Sequence, residues 1–216
     1  AAPLCGFDNF TPPYQFIRAL LATEDHLLIN KDHLVVISPD AGGLNRAIYF
    51  ANVLGVNTGM FYKRRNYSQH PETDTAQGVK EFLGDSVDGK DVILIDDIID
   101  TGSSILETAR LLRAMNAKSV YICGTFGLFS QGLNLFDEAY EKCYFDKVVT
   151  TNLTYRIPEL YERPYYVEAD MSKFLASIID FMNHDSSMSN VYTPTEKIQE
   201  FLARYNNREN SCEINE

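Results

Sequence analysis

Short runs of aliphatic and β-branched residues recur along the chain, and most are followed by a stretch with helical spacing. That alternation predicts a parallel sheet covered by helices. Leu34–Ser38 reads as the first clear strand and Gly43–Leu54 as the helix behind it. Met60–Tyr62 reads as a second strand, running into a polar stretch from Lys63 to about Thr75. Val92–Ile95 is apolar at every position, as expected of a central parallel strand buried on both faces. The helix predicted behind it, Ser104–Met115, sets Ile105, Ala109 and Leu112 at i, i+4 and i+7, one face toward the sheet. Val120–Cys123, a helix near Leu133–Tyr140, Lys147–Thr150 and Tyr165–Val167 continue the rhythm. The expected class is α/β, an open, mainly parallel sheet flanked by helices. At the ends lie helices predicted over Tyr14–Ala22, from Met171 to about Asn183, and near Thr195–Tyr205, with a polar tail expected to be disordered after Asn206.

Charge narrows the partners. The 216 residues include 30 acidic and 19 basic side chains, a net charge of −11, which repels nucleic-acid backbones and anionic membranes. No apolar window approaches the roughly 18 to 20 residues of a membrane helix, and no secretory leader pattern is visible, so a cytoplasmic protein without nucleic-acid or membrane partners is expected. Cys5, Cys123, Cys143 and Cys212 have neither ligand spacing nor a disulfide pattern and are expected to be buried reduced thiols.

The candidate chemistry sits where the central strand ends. Val92–Ile95 runs into Asp96 and Asp97, and four residues beyond the first acid come Asp100, Thr101, Gly102, Ser103 and Ser104. In open α/β sheets ligands bind beyond the carboxyl ends of the strands. Paired acids there can accept hydrogen bonds from the vicinal hydroxyls of a ribose. Three hydroxyls, a glycine and the free N–H groups of a helix start form an anion cradle. Any single one of these residues is equally at home as a helix N-cap. The whole thirteen-residue pattern points instead to a ribose phosphate, and it resembles the phosphoribosyl-pyrophosphate signature of type I phosphoribosyltransferase folds.

Two further segments bear on the same chemistry. In Ser38-Pro39-Asp40-Ala41-Gly42-Gly43, two glycines allow close approach of a ligand and Asp40 can reach a hard cation through oxygen, although an ordinary turn has the same composition. Lys63-Arg64-Arg65 ends the second strand and reads either as a phosphate contact or as a solvated basic cluster.

In this order the segments resemble the carboxyl-terminal half of the ribose-phosphate pyrophosphokinases: a Ser-Pro-Asp-x-Gly-Gly loop, a Lys-x-Arg loop, then the Asp-Asp-x-x-Asp-Thr-Gly signature. Asn45-Arg46-Ala47, Val87–Val92, Gly124–Gly127 and Thr150-Thr151-Asn152 also fit, so that the resemblance spans roughly residues 30 to 183. The Phe-Tyr-Lys-Arg-Arg segment and the long stretch after it look like a divergent bacterial branch. The resemblance implies transfer of pyrophosphate from Mg-ATP to the anomeric hydroxyl of ribose 5-phosphate, giving phosphoribosyl pyrophosphate and AMP. It implies that Asp96, Asp97, Asp100, Thr101, Gly102, Ser103 and Ser104 bind ribose 5-phosphate. Asp40, Ala41, Gly42 and Gly43 would form the pyrophosphate loop, with Asp40 serving Mg2+, and Lys63 and Arg65 would be catalytic. A homo-oligomer is implied as well. On this reading residues 1–31 are a lead-in from an absent upstream half, 32–185 the phosphoribosyltransferase-type domain, and 186–216 a C-terminal helix and tail. Ser103-Ser104 stand where Gly-Thr is common, and their hydroxyls remain donors. The competing readings are a free nucleobase phosphoribosyltransferase and a non-catalytic ribose-phosphate-binding regulatory subunit.

Overall fold

Val92, Ile93, Leu94 and Ile95 are almost wholly buried, which places their strand at the centre of the molecule. The structure is a computed structural model and describes residues 12–24, 27–64, 79–187 and 198–205. In chain order it contains α1 (Pro13–Leu21), β1 (Leu34–Ser38), α2 (Leu44–Leu54), β2 (Asn57–Arg64), β3 (Val79–Leu83), β4 (Asp91–Ile99), α3 (Ser103–Ala114), β5 (Ser119–Gly127), α4 (Asn134–Glu141), β6 (Lys147–Thr151), β7 (Tyr166–Ala169) and α5 (Ser172–Asn183). The strands form one seven-stranded sheet in the order β3-β2-β1-β4-β5-β6-β7. Only β3 is antiparallel to its neighbour.

Alternate residues of each strand face opposite sides, so each side has its own core. On one, Phe16, Ile17 and Leu20 of α1, Phe50 of α2, and Ile198 and Leu202 of a helical run over residues 198–205 pack on Val36, Ile93 and Ile95. On the other, Ile105, Ala109 and Leu112 of α3 and Phe136 of α4 cover Val35, Ile37, Val92, Leu94 and Ile122. Among the described residues no helix is long and apolar enough to cross a membrane.

The structure corrects the sequence reading in three places. The second strand does not give way at Lys63. It runs to Arg64, because it is the partner of β3, in register from Met60↔Leu83 to Arg64↔Val79. β3 itself was not anticipated, since Lys80 and Glu81 interrupt its apolar pattern. Of the two described cysteines, Cys123 is buried as expected, whereas Cys143 is exposed in the turn after α4 and adopts a positive φ of 56°. Cys5, Cys212 and the tail after Asn206 lie outside the described residues.

Candidate functional site

β1 lies between β2 and β4, and the helices that follow β1 and β4 cover opposite faces of the sheet. The winding therefore changes direction between β1 and β4, which is where an open α/β sheet forms a crevice at its carboxyl edge. The ladders show how the crevice opens. β1 and β4 are paired only as far as Ile37↔Leu94, while β4 and β5 stay paired to Ile99↔Gly127. Beyond Leu94, one edge of β4 is thus released from β1 while the other remains fixed. Asp96 and Asp97 stand on that released stretch, so they lie within the strand's extension rather than after it.

The loop after β1 is tightly drawn. The fully buried Ser38 donates its hydroxyl to the Asp40 carbonyl at 2.7 Å, and Asp40 Oδ1 accepts the Gly43 N–H at 2.9 Å. A Cβ at Gly43 would come within 2.7 Å of Ser38 Oγ, so this close approach requires glycine. Asp40, Ala41 and Gly42 are left exposed, on the crevice edge of the sheet.

The pair of acids is reached from α2. One Arg46 guanidinium nitrogen lies 3.1 Å from Asp97 Oδ2, and the other lies 3.6 Å from Asp96 Oδ1. That second nitrogen is buried without a hydrogen-bond partner. Arg46 thereby ties the loop after β1 to the tip of β4. It was not among the candidate site residues. Its signal was a cation three positions beyond the double glycine, on the first turn of the helix that this loop starts.

Asp96 and Asp97 are not equivalent. Burial and the adjacent Asp97 carboxyl push Asp96 up to about 6, against the pull of Arg46. Asp97 also feels burial, but its hydrogen bonding with Asp96 and the Arg46 guanidinium hold it below the ordinary carboxylate range. The Asp97 N–H donates to Asp96 Oδ1 at 2.8 Å and the Ile98 N–H to Asp97 Oδ1 at 3.0 Å, fixing both carboxylates against the backbone.

The turn into α3 comes next. Gly102 is buried with φ 83°, Thr101 Oγ1 and Ser103 Oγ are 3.3 Å apart, and the Ser103 N–H points to Thr101 Oγ1 at 3.4 Å. The N-cap residue, Gly102, has no side chain to cap α3, and the first turn carries no acid. Beyond the long contact from the Ser103 N–H, the leading N–H groups and the dipole are therefore available to an anion. Lys63 is exposed near the end of β2, whose neighbour in the sheet is β1. Arg65 lies outside the described residues. The structure thus brings Asp40–Gly43, Asp96, Asp97 and Asp100–Ser104 to one crevice, with Lys63 two strands from the acids.

The match with known proteins follows the same span. The family model for the phosphoribosyl transferase domain matches residues 13–148. The chain belongs to this family. It is 34% identical over 194 residues to a ribose-phosphate pyrophosphokinase of Nostoc sp., covering 89% of this chain and 55% of that protein. It is 36% identical over 145 residues to the one from Aquifex aeolicus, covering 66% of this chain and 43% of the relative. Among solved structures it is similar to the phosphoribosylpyrophosphate synthetase of Mycobacterium smegmatis, with a TM-score of 0.62 and 26% identity, covering 80% of this chain and 51% of that one. The sheet is that of the type I phosphoribosyltransferase fold. The chain spans about half the length of the curated relatives it matches.

Proposed function

We propose that this domain carries the ribose-phosphate and pyrophosphate sides of a ribose-phosphate pyrophosphokinase. The observation that carries the reading is the Arg46 bridge, which holds a pyrophosphate-type loop and a ribose-type acid pair against one another at a single crevice. The names of its relatives favour a diphosphotransferase over a nucleobase phosphoribosyltransferase.

On this reading Asp96 and Asp97 accept the ribose hydroxyls, and Asp100–Ser104 take the 5-phosphate. The anomeric oxygen then attacks the β-phosphorus of ATP. The bond from that phosphorus to the α-phosphate oxygen breaks, AMP leaves, and the hydroxyl proton passes to solvent. Such a transfer asks for positioning and charge neutralisation rather than covalent help from the protein. Gly42 and Gly43 allow the loop backbone to lie against the migrating pyrophosphoryl group. Lys63, with Arg65 beyond it, offsets the charge that spreads over the oxygens.

Mg2+ fits this donor set. Mg2+ is commonly held by one or two carboxylates plus substrate phosphates rather than by a dedicated protein cage. Asp40 is the residue that would hold it, through the oxygen not engaged by Gly43. When bound, the ion would neutralise phosphate charge during transfer. Family membership also supports a homo-oligomer and a cytoplasmic setting, as proposals.

The test is twofold. Calorimetry with ribose 5-phosphate examines the site, and AMP formation from ribose 5-phosphate and Mg-ATP examines the reaction. Pyrophosphate release from phosphoribosyl pyrophosphate and a nucleobase would overturn the diphosphokinase reading in favour of a nucleobase transferase. Binding without turnover would favour the regulatory reading. For Lys63→Ala we expect kcat to fall about 10- to 50-fold, less than for a buried preorganised donor because the ammonium is exposed. The KM for ribose 5-phosphate should stay within about threefold, as expected of an interaction made in the transition state alone. Equal losses in kcat and ribose 5-phosphate affinity would remove Lys63 from the transfer step.

A further inference from the structure

We propose that Lys80 of β3 is a positioning residue for the phosphate turn, holding Ser104 so that its hydroxyl proton and the start of α3 face a phosphoryl group. The proposal rests on the ribose-phosphate reading and adds a residue that the sequence left unassigned.

Lys80 is one of two inward residues of β3, and the other, Phe82, packs on Phe61 at 5.2 Å between ring centroids. An aliphatic side chain would serve that packing without the cost of desolvating a charge. Instead the Lys80 side chain is only 5% exposed, and its ammonium is directed onto α3. It donates to the Ser104 carbonyl at 3.0 Å, to Ser104 Oγ at 3.3 Å and to Thr108 Oγ1 at 2.9 Å. Thr108 in turn donates to the same Ser104 carbonyl at 2.9 Å. Ser104 is thereby held at both its carbonyl and its hydroxyl. Because that hydroxyl accepts from an ammonium, its own proton is left to donate elsewhere.

The electrostatics point to an anion at this turn. A cation at the amino end of a helix opposes the dipole. Lys63 lies directly opposite Lys80 in the antiparallel ladder, on the same face, where like charges repel. The described carboxylate on this ammonium is Glu107, at 3.2 Å and half exposed. One buried cation and a helix start thus meet where the dianionic end of a sugar phosphate is proposed to bind. The phosphoryl group would relieve the opposition between the Lys80 ammonium and the helix dipole, and that relief would appear as affinity.

The experiment is isothermal calorimetry of ribose 5-phosphate and of inorganic phosphate with the parent chain, Lys80→Met and Glu107→Gln, alongside each thermal midpoint. Lys80→Met, similar in length and uncharged, is expected to weaken both ligands about 10-fold. Glu107→Gln removes the anion that competes with the ligand, and it is expected to tighten both about 2- to 4-fold at low salt. Glu107→Gln leaves Lys80 in place, so the test stays falsifiable even if Lys80→Met fails to fold. Unchanged affinity in Lys80→Met, or weaker binding in Glu107→Gln, overturns the role of Lys80 and leaves the ribose-phosphate site standing. If the parent chain takes up neither ligand, the ribose-phosphate reading falls, and this one with it.

Discussion

Asp96→Asn is expected to make the protein more stable at pH 7 and to weaken ribose 5-phosphate binding about 100- to 1000-fold. Both effects come from one carboxylate. Asp96 is pushed up to about 6 from the ordinary carboxylate value of 3.8, so between those values the folded state holds a proton that the unfolded chain has released. The stability linked to that proton is fully present below about 3.8 and is lost as the pH rises through about 6. At neutral pH the folded protein carries an anion that its surroundings resist, and the amide removes the penalty. A shift of this size corresponds to about 1 to 3 kcal/mol, with the lower end favoured because the side chain keeps some contact with water. The binding loss follows from the same atom. An acceptor of two hydroxyl protons becomes an amide with one acceptor and one donor group, and hydrogen bonds to a charged partner are worth about 1.5 to 3 kcal/mol each. Urea unfolding at pH 4 and pH 7 checks the first effect: the two proteins should differ little at pH 4, and the variant should lead at pH 7. Calorimetry with ribose 5-phosphate checks the second. A variant less stable than the parent at pH 7 would mean that Asp96 is a net structural asset through Arg46, and binding close to that of the parent would remove it from the ribose site.

Much of this site was legible because its information is local. The all-apolar Val92–Ile95, the acids directly after it and the hydroxyl-rich turn before α3 are neighbours in sequence, so their chemistry survives without knowledge of the fold. The helix begins at Ser103, one residue before the expected start, with the turn glycine in the left-handed region. What stayed hidden depends on contacts between distant segments. Arg46 matters because α2 leans its first turn over β4, fifty residues further along, and nothing in Asn45-Arg46-Ala47 says so. β3 escaped because strand recognition relies on apolar alternation, and here an inward position is held by a charged residue whose partners lie on α3. The inequality of Asp96 and Asp97 was equally out of reach, since it is set by burial and by Arg46. From sequence Lys63 reads as a loop residue for the same reason that β3 does not stand out: without its partner strand, the end of β2 cannot be located.

The remaining large effect concerns the turn itself. Gly102→Ala is expected to destabilise the fold by about 2 to 4 kcal/mol, the sum of left-handed backbone strain and overpacking. At φ 83° an L side chain is strained whatever space it finds, and here there is none: an added Cβ would run into the ring of Phe136. That ring cannot easily yield. It is fully buried, set edge-on against Phe129 at 5.1 Å and against Phe145 at 6.4 Å between centroids. Relief must therefore come from the backbone, and moving residue 102 displaces Thr101 and Ser103 on either side of it. The loss of stability should accordingly be accompanied by weaker ribose 5-phosphate binding, even though Gly102 has no side chain to offer a ligand. Steric and conformational contributions separate in a double-mutant cycle with Phe136→Leu, which opens room for the Cβ but leaves φ unchanged. A favourable coupling of about 1 kcal/mol or more between the two substitutions is expected if the aromatic wall is what forces glycine here. Additive losses would assign the whole cost to the backbone angle, and a Gly102→Ala variant as stable as the parent would show that the turn can take a different path into α3.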